Sequence, residues 1–271
     1  MDSAPKLSLI VPHFRNPDGL RQTLRSLRDS VAPLKPEIIV VDSGADGSAA
    51  SIVSETLSEA RLIAVAENLG YPKTVNTGIR ASTGEFLAVV NARMEVTAGA
   101  LERMVEFFER EPSAGLVGAK ILRPDGNREP SCFRFYRPWT ILFRRTFLGK
   151  LPFAKRHLES FLLADKNLTN GPRTVDWVMG SGYMVRREAI NRVGFLDDRF
   201  FMYFEDVDWC WRFWENGYTV WYLPEAVLIY EKGERSKKEG GYRRIHISSG
   251  FKYLWKHGLG LTNPKRSADS A

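Results

Sequence analysis

Glu37-Ile38-Ile39-Val40-Val41-Asp42 is a short run of consecutive apolar residues closed by a carboxylate, and it reads as a strand covered on both faces. Leu7 to Pro12 (LSLIVP) has the same character, as do Arg61 to Ala66 and Glu85 to Asn91 (EFLAVVN). Between these runs the periodicity changes. Leu20, Leu24 and Leu27 recur at helical spacing behind a cap at Asp18, and helices are expected over residues 47–59, from Pro72 to Ala81 and over 98–110. Apolar strands separated by helices argue for an α/β fold with a mainly parallel sheet covered on both faces.

Such sheets bind ligands beyond the carboxyl ends of their strands. Pro12, His13 and Phe14 follow the first strand, Asp42 ends the second, Asn68 and Gly70 follow the third, and Asn91 to Arg93 follow the fourth. Turn chemistry explains any one of these positions. Their joint occurrence at four successive strand ends points to a ligand site.

The alternation stops after residue 121, and residues 122–173, basic and rich in Pro and aromatics, read as an insertion or lid. Regular structure is expected again from Thr174. A strand at Val175 to Val178 precedes the turn Gly180-Ser181-Gly182, a strand from Tyr183 to Arg186, a short helix from about 187, a helix over 206–216 and a strand from Tyr218 to Leu223. A basic tail carries a helix over 242–257 and a disordered end. The organisation expected is one domain in four parts: 1–121, 122–173, 174–236 and 237–271.

The 271 residues, 44% hydrophobic and 26% charged, suit an ordinary globular protein. No run of 18 apolar residues and no signal-like start from Met1 to Lys6 occurs, so the expected location is the cytoplasm. Cys132 and Cys210 are too few for a disulfide framework or a Cys-rich zinc site and are expected as buried thiols. The excess of 39 Lys and Arg over 32 Asp and Glu favours anionic partners. From Arg134 to His157 basic residues alternate with aromatic and aliphatic ones, and no acid interrupts them. That pattern suits either an anionic membrane surface or a basic insertion packed on its own domain.

The stretch Arg199-Phe200-Phe201-Met202-Tyr203-Phe204-Glu205-Asp206-Val207-Asp208 sets three carboxylates behind a run of aromatics. Acids in a first helical turn meet the positive end of the helix dipole. Desolvation by aromatic neighbours would also raise a carboxylate's pKa, as a general base working near neutral pH requires.

LIVPHFRN, EIIVVDSGADGS, ENLGYPKTVNTGIRASTGEFLAVVNAR and VDWVMGSGYMVRREAINRVGFLDDRFFMYFEDVDWCWRFWENGY occur in an order and spacing that resemble family 2 glycosyltransferases. The nearest likeness is to the rhamnosyltransferase-like branch that builds bacterial surface polysaccharides. The resemblance covers about residues 6–236. It implies a GT-A fold and inverting transfer of a sugar from a nucleoside diphosphate donor, dTDP- or UDP-linked, to a glycan or polyprenyl-linked glycan at the inner face of the plasma membrane. Carried over residue by residue, Pro12, His13, Phe14 and Asp42 would hold the nucleobase, and Asn68, Lys73 and Asn76 would approach the ribose and diphosphate. Asn91 and Arg93 complete the donor side. Asp206 matches the catalytic base with Glu205 beside it, and Trp177, Gly180, Gly182 and Asp208 fall on the acceptor side, Asp208 being equally suited to a structural role.

Members of this family usually carry an Asp that binds Mg or Mn after the fourth strand, and often a His ligand near the end of a later one. Here those places hold Asn91-Ala92-Arg93 and Tyr230. Two readings follow. Arg93, with Lys73 or Lys232, replaces the metal against the leaving diphosphate, or the site has decayed into a non-catalytic glycan- or nucleotide-binding protein. Glu95 is a third candidate, as a rescuing metal ligand. The persistence of Asp42, Glu205 and Asp206 favours transfer without metal. No nucleic-acid recognition motif is present, and the first strand is not followed by the Gly-X-Gly-X-X-Gly of a dehydrogenase.

Overall fold

The computed structural model describes residues 5–164, 168–230 and 240–258, together with Pro264. Its first half alternates as the hydrophobic pattern requires: β1 (Leu7–His13), α1 (Pro17–Ser30), β2 (Glu37–Ser43), α2 (Ser48–Thr56), β3 (Arg61–Val65), α3 (Gly70–Ala81) and β4 (Phe86–Val90). β1 pairs in parallel with β2 and β4, and β2 with β3. The cap of α1 is Asn16, whose side chain accepts from the Gly19 N–H at 3.4 Å, with Pro17 at the first helical position; Asp18 lies within the first turn.

The second half comprises β5 (Met94–Val96), α4 (Ala100–Arg110), β6 (Ala114–Leu122), β7 (Arg128–Glu129), β8 (Cys132–Phe133), α5 (Pro138–Arg145), α6 (Pro152–Phe161), β9 (Arg173–Thr174), β10 (Trp177–Val178), β11 (Gly182–Arg186), α7 (Arg187–Val193), α8 (Glu205–Glu215), β12 (Thr219–Tyr230) and α9 (Gly240–Lys256). The main sheet runs β3-β2-β1-β4-β11-β6-β12-β5, and β11 is antiparallel to both of its neighbours. β12 is twice as long as the Tyr218–Leu223 strand that the sequence suggests, because it continues past Pro224 through a register shift. Only Trp177 and Val178 of the expected 175–178 strand pair, and they join β8 in a separate two-stranded sheet.

Alternation along the strands divides the core in two. Leu7, Leu9 and Val11 of β1 face α1, α2 and α4, while Ile10 faces α3 and the cluster around α8. Burial on both faces forces the parallel strands to be apolar throughout, which is why Ile38 to Val41 could not alternate. Cys132 and Cys210 are free and buried, as expected.

The insertion packs inward through an aromatic stack. Phe133 lies 4.3 Å from Trp177 between ring centroids, Tyr136 lies 4.8 Å from Phe161, and the Arg144 guanidinium covers both Tyr136 and Phe161. α9 docks beside α8 through buried Tyr253 and a bond from Ser249 Oγ to the Met202 carbonyl at 2.9 Å. Among the described residues no helix is long and apolar enough to cross a membrane.

Candidate active site

The parallel register of β1 and β2 sets His13 directly beside Asp42. His13 Nε2 accepts the Asn16 backbone N–H at 3.0 Å, which leaves the ring proton on Nδ1 to be donated to Asp42 Oδ1 at 2.7 Å. Both side chains are buried. Asp42 therefore stands behind the imidazole, and His13 is the group that meets the cleft.

That cleft, of about 170 Å³, opens where the strands of the first half end, and Pro12, His13, Phe14, Asn68 and Asn91 line it as the sequence leads one to expect. Asn16, Ser43, Tyr71, Phe201 and Met202 also line it and were not singled out beforehand. Two larger depressions lie elsewhere, one of about 430 Å³ along α1 and one of about 530 Å³ against α9. The smaller cleft is the functional candidate because it alone of the three sits at the strand ends, where α/β sheets bind ligands.

Gly70 shapes its wall. With φ at +72° and the Phe201 carbonyl oxygen 2.4 Å from where a Cβ would lie, this position excludes a side chain. The next residue crosses to the other half of the molecule: the Tyr71 N–H donates to the Phe201 carbonyl at 2.9 Å, and its hydroxyl donates to the Gly180 carbonyl. Gly180 in turn donates its N–H to Asp206 Oδ2 at 2.9 Å, and a Cβ on Gly180 would come within 3.3 Å of Asp206 Cβ. Asp206 is thus joined to the cleft wall through Gly180 and Tyr71.

At the start of α8 the three carboxylates have separate environments. Asp206 is half-buried, and desolvation raises its pKa to about 6 against the backbone N–H groups of Gly180 and Val207, which pull it down. Glu205 points inward with Oε2 buried and unpartnered, and burial together with the charge of Asp206 pushes its pKa well above the carboxylate range. Burial thus raises both neighbours, Glu205 with its inner oxygen unbonded and Asp206 with two backbone N–H donors. Burial also pushes the Tyr71 and Tyr183 phenols upward. Asp208 is fully buried, yet it is bonded to Arg212 Nε at 2.9 Å, Lys256 Nζ at 2.6 Å and His257 Nε2 at 2.8 Å, and these partners hold its pKa low against desolvation.

Several residues expected at the site have other work. Asp208 spends both oxygens on α8 and the end of α9, so its geometry is structural and not that of an acceptor ligand. Trp177 is stacked in the insertion's core with its indole N–H on the Arg134 carbonyl at 2.8 Å. Asn76 is committed at both ends of its amide to the backbone of Leu196, at 2.8 and 3.1 Å. Lys73 is exposed on α3, outside the cleft lining. Gly182 is required for packing, since a Cβ there would meet Leu228 Cδ1 at 2.4 Å.

Arg93 lies at the rim. It adopts φ of +94°, a conformation costly for a side-chain-bearing residue, held by bonds from its N–H to Thr23 Oγ1 at 2.9 Å and to the Gly19 carbonyl at 3.2 Å. Its guanidinium donates to Asn16 Oδ1 at 3.2 Å, and Asn16 lines the cleft. Tyr230 pairs with Met94, so the two positions where the family usually places metal ligands are neighbours here. A divalent cation such as Mg or Mn does not fit the side chains present. Among the described residues no three His, Cys, Asp or Glu converge, and Glu95 faces the groove along α1. Asn91 offers one neutral oxygen, buried and unpartnered. Lys232 lies outside the described residues.

Residues 8–210 match the family model described as Glycosyl transferase family 2. The chain belongs to glycosyltransferase family 2. This glycosyltransferase is 30% identical over 250 residues to the N-acetylglucosaminyl-diphospho-decaprenol L-rhamnosyltransferase of Mycobacterium tuberculosis, covering 87% of this chain and 79% of that relative. It is 33% identical over 114 residues to the rhamnosyltransferase WbbL of Escherichia coli, covering 39% of this chain and 42% of the relative. Among solved structures it resembles GalNAc-T7 with UDP, GalNAc and Mn2+, with a TM-score of 0.67 at 13% identity over 94% of this chain. S. aureus TarS gives 0.61 at 16% identity over 92%. The chain spans 48% and 40% of those two structures, and the likeness establishes the GT-A fold.

Proposed function

We propose that this glycosyltransferase moves rhamnose or a similar 6-deoxy sugar from a dTDP- or UDP-linked donor to a hydroxyl of a lipid-linked glycan, with Asp206 as the base and without a metal. The observation that carries the reading is Asp206 itself: a half-buried carboxylate titrating at about 6, tied through Gly180 and Tyr71 to the wall of the strand-end cleft. The rhamnosyltransferase relatives support the sugar, and the decaprenol-linked acceptor in one relative's name supports the lipid.

In this scheme the nucleobase lies against His13 and Phe14 at the mouth of the cleft. Asp42 and the Asn16 N–H occupy both ring nitrogens of His13, so the base meets the face of a fixed imidazole and not its hydrogen-bonding edge. The diphosphate runs toward Asn91 and the Asn16–Arg93 pair, where a guanidinium supplies the positive charge that the leaving group needs. The acceptor hydroxyl approaches Asp206, which takes its proton as the oxygen attacks the anomeric carbon and the bond to the diphosphate breaks, a single displacement that inverts configuration. The basic, acid-free stretch 134–157 suits an acceptor presented at an anionic membrane surface.

A transfer assay with and without EDTA tests the donor side. Activity is expected to persist under chelation and to fall by about 10²-fold or more in Arg93→Ala, the loss typical of removing one group that stabilises transition-state charge. Loss on chelation that magnesium or manganese restores would sink the metal-independent scheme.

A further inference from the structure

α9 carries apolar side chains on two opposite faces. Ser249, Tyr253 and His257, four residues apart, are buried against the catalytic half. Ile247, Phe251 and Trp255 repeat at the same spacing but are displaced by two positions, which is about 200° around the helix. They are 44%, 70% and 89% exposed. Nothing in the described fold covers this outer stripe.

The stripe continues onto the insertion. Ile141 of α5 joins Ile247, Gly250, Phe251 and Leu254 of α9 in one apolar groove floored by Phe204. Beyond it Leu142, Phe147 and Phe153 stand in solvent, Phe147 at 77% and Phe153 at 63% exposure. Basic residues are exposed on both elements: Lys150, Lys155 and Arg156 on the insertion, and Arg244 and Lys252 on α9. Neither 134–157 nor 240–258 contains an acidic residue. Large exposed aromatics on two acid-free basic segments match the boundary of an anionic bilayer, where rings enter the acyl margin and ammonium and guanidinium groups meet phosphates.

We infer that α9 and the insertion form one bilayer-docking face, in which Phe251 and Trp255 are the inserting side chains. This rests on the reading of the acceptor as lipid-linked. α9 is joined rigidly to the catalytic helix: Lys256 and His257 bind Asp208, Lys252 Nζ donates to the Arg199 carbonyl at 2.7 Å, and Phe204, which floors the groove, immediately precedes Glu205 and Asp206. Docking through α9 therefore sets the height of the base above the membrane.

The full chain is mixed with vesicles containing phosphatidylglycerol, or with pure phosphatidylcholine vesicles, and the bound fraction is measured by flotation at low and high salt. Transfer to a water-soluble acceptor analogue and to a lipid-linked one is measured alongside. Wild type is expected on the anionic vesicles only, released by salt, and Phe251→Ser/Trp255→Ser is expected to bind about tenfold or more weakly while keeping its activity on the soluble acceptor. Brominated lipid is expected to quench fluorescence in wild type, with the quenching reduced in Trp255→Phe, a variant conservative enough to fold if the double one does not. Trp139 on the insertion accounts for any residual quenching; equal binding by wild type and a folded double variant, or quenching undiminished in Trp255→Phe, would overturn the inference. So would a wild-type dimer by light scattering that the double variant splits, since the face would then join two copies. Vesicle binding without transfer to either a soluble or a lipid-linked acceptor would leave the docking face standing and defeat the glycan-transfer reading.

Discussion

Asp206 owes its basicity to burial, and the same burial costs the fold something. Its folded pKa, about 6, exceeds that of an unfolded Asp, so the stabilising contribution of its neutral form is present below about pH 4 and is lost as pH rises through about 6. Two outcomes are expected. Turnover should climb with pH through an acid limb near 6, and a limb near 4 in the pH–rate profile would remove Asp206 as the base. Asp206→Asn should lose about 10²–10⁴-fold in transfer yet melt no lower than wild type at pH 7, since it removes a desolvated charge. The role proposed for Asp206 comes from the family motif in which the sequence sets it. That of Asp208, two residues on, was not legible: its partners Lys256 and His257 lie in another helix, and an acid in a first helical turn looks the same whether it caps, binds ligand or anchors. Asn76 and Trp177 were obscured in the same way, since the backbone carbonyls they bind become their neighbours only after the chain has folded.

At the level of elements, α8 and α9 are held together by a buried cluster in which Asp208 serves three cationic or imidazole groups. Asp208→Ala would leave Arg212 without its carboxylate partner and Lys256 with Asp197 alone, and is expected to cost about 3–5 kcal/mol in denaturant unfolding. Because the folded pKa of Asp208 is lowered, its contribution is present above about pH 4 and disappears as pH falls through that lower value. Gly70→Ala should cost about 1–2 kcal/mol from its left-handed backbone alone, and it should also weaken nucleotide binding, because the added methyl displaces Phe201 from the cleft wall. Long apolar runs made β1, β2 and β4 readable. β6 went unread because Gly115 and Gly118 break its hydrophobic run, and the outer stripe of α9 was hidden because two opposed apolar faces leave no single period.

For the whole molecule, the α/β class and the strand-end site followed from the first half of the chain, whereas the place of the second half depended on pairings no local pattern records. A donor nucleotide should stabilise the entire domain. At a hundredfold excess over Kd the gain is about 2.7 kcal/mol, a rise of about 5 °C in Tm, and comparing dTDP, UDP and GDP by thermal shift would identify the base; no shift with any of them would count against an intact donor site. β11 carries a further consequence. It fills the gap between β4 and β6 although it follows β4 by some ninety residues of chain. As the polypeptide leaves the ribosome, the parallel strands of the first half emerge first, with the β4 edge exposed to any other extended segment until β11 arrives to occupy it. A fragment ending before Gly182 should therefore aggregate, and one extended through Arg186 should be the shortest able to close that edge. Assembly of this enzyme is thus expected to wait on a strand from its second half, and the first half should not be obtainable as a free-standing module.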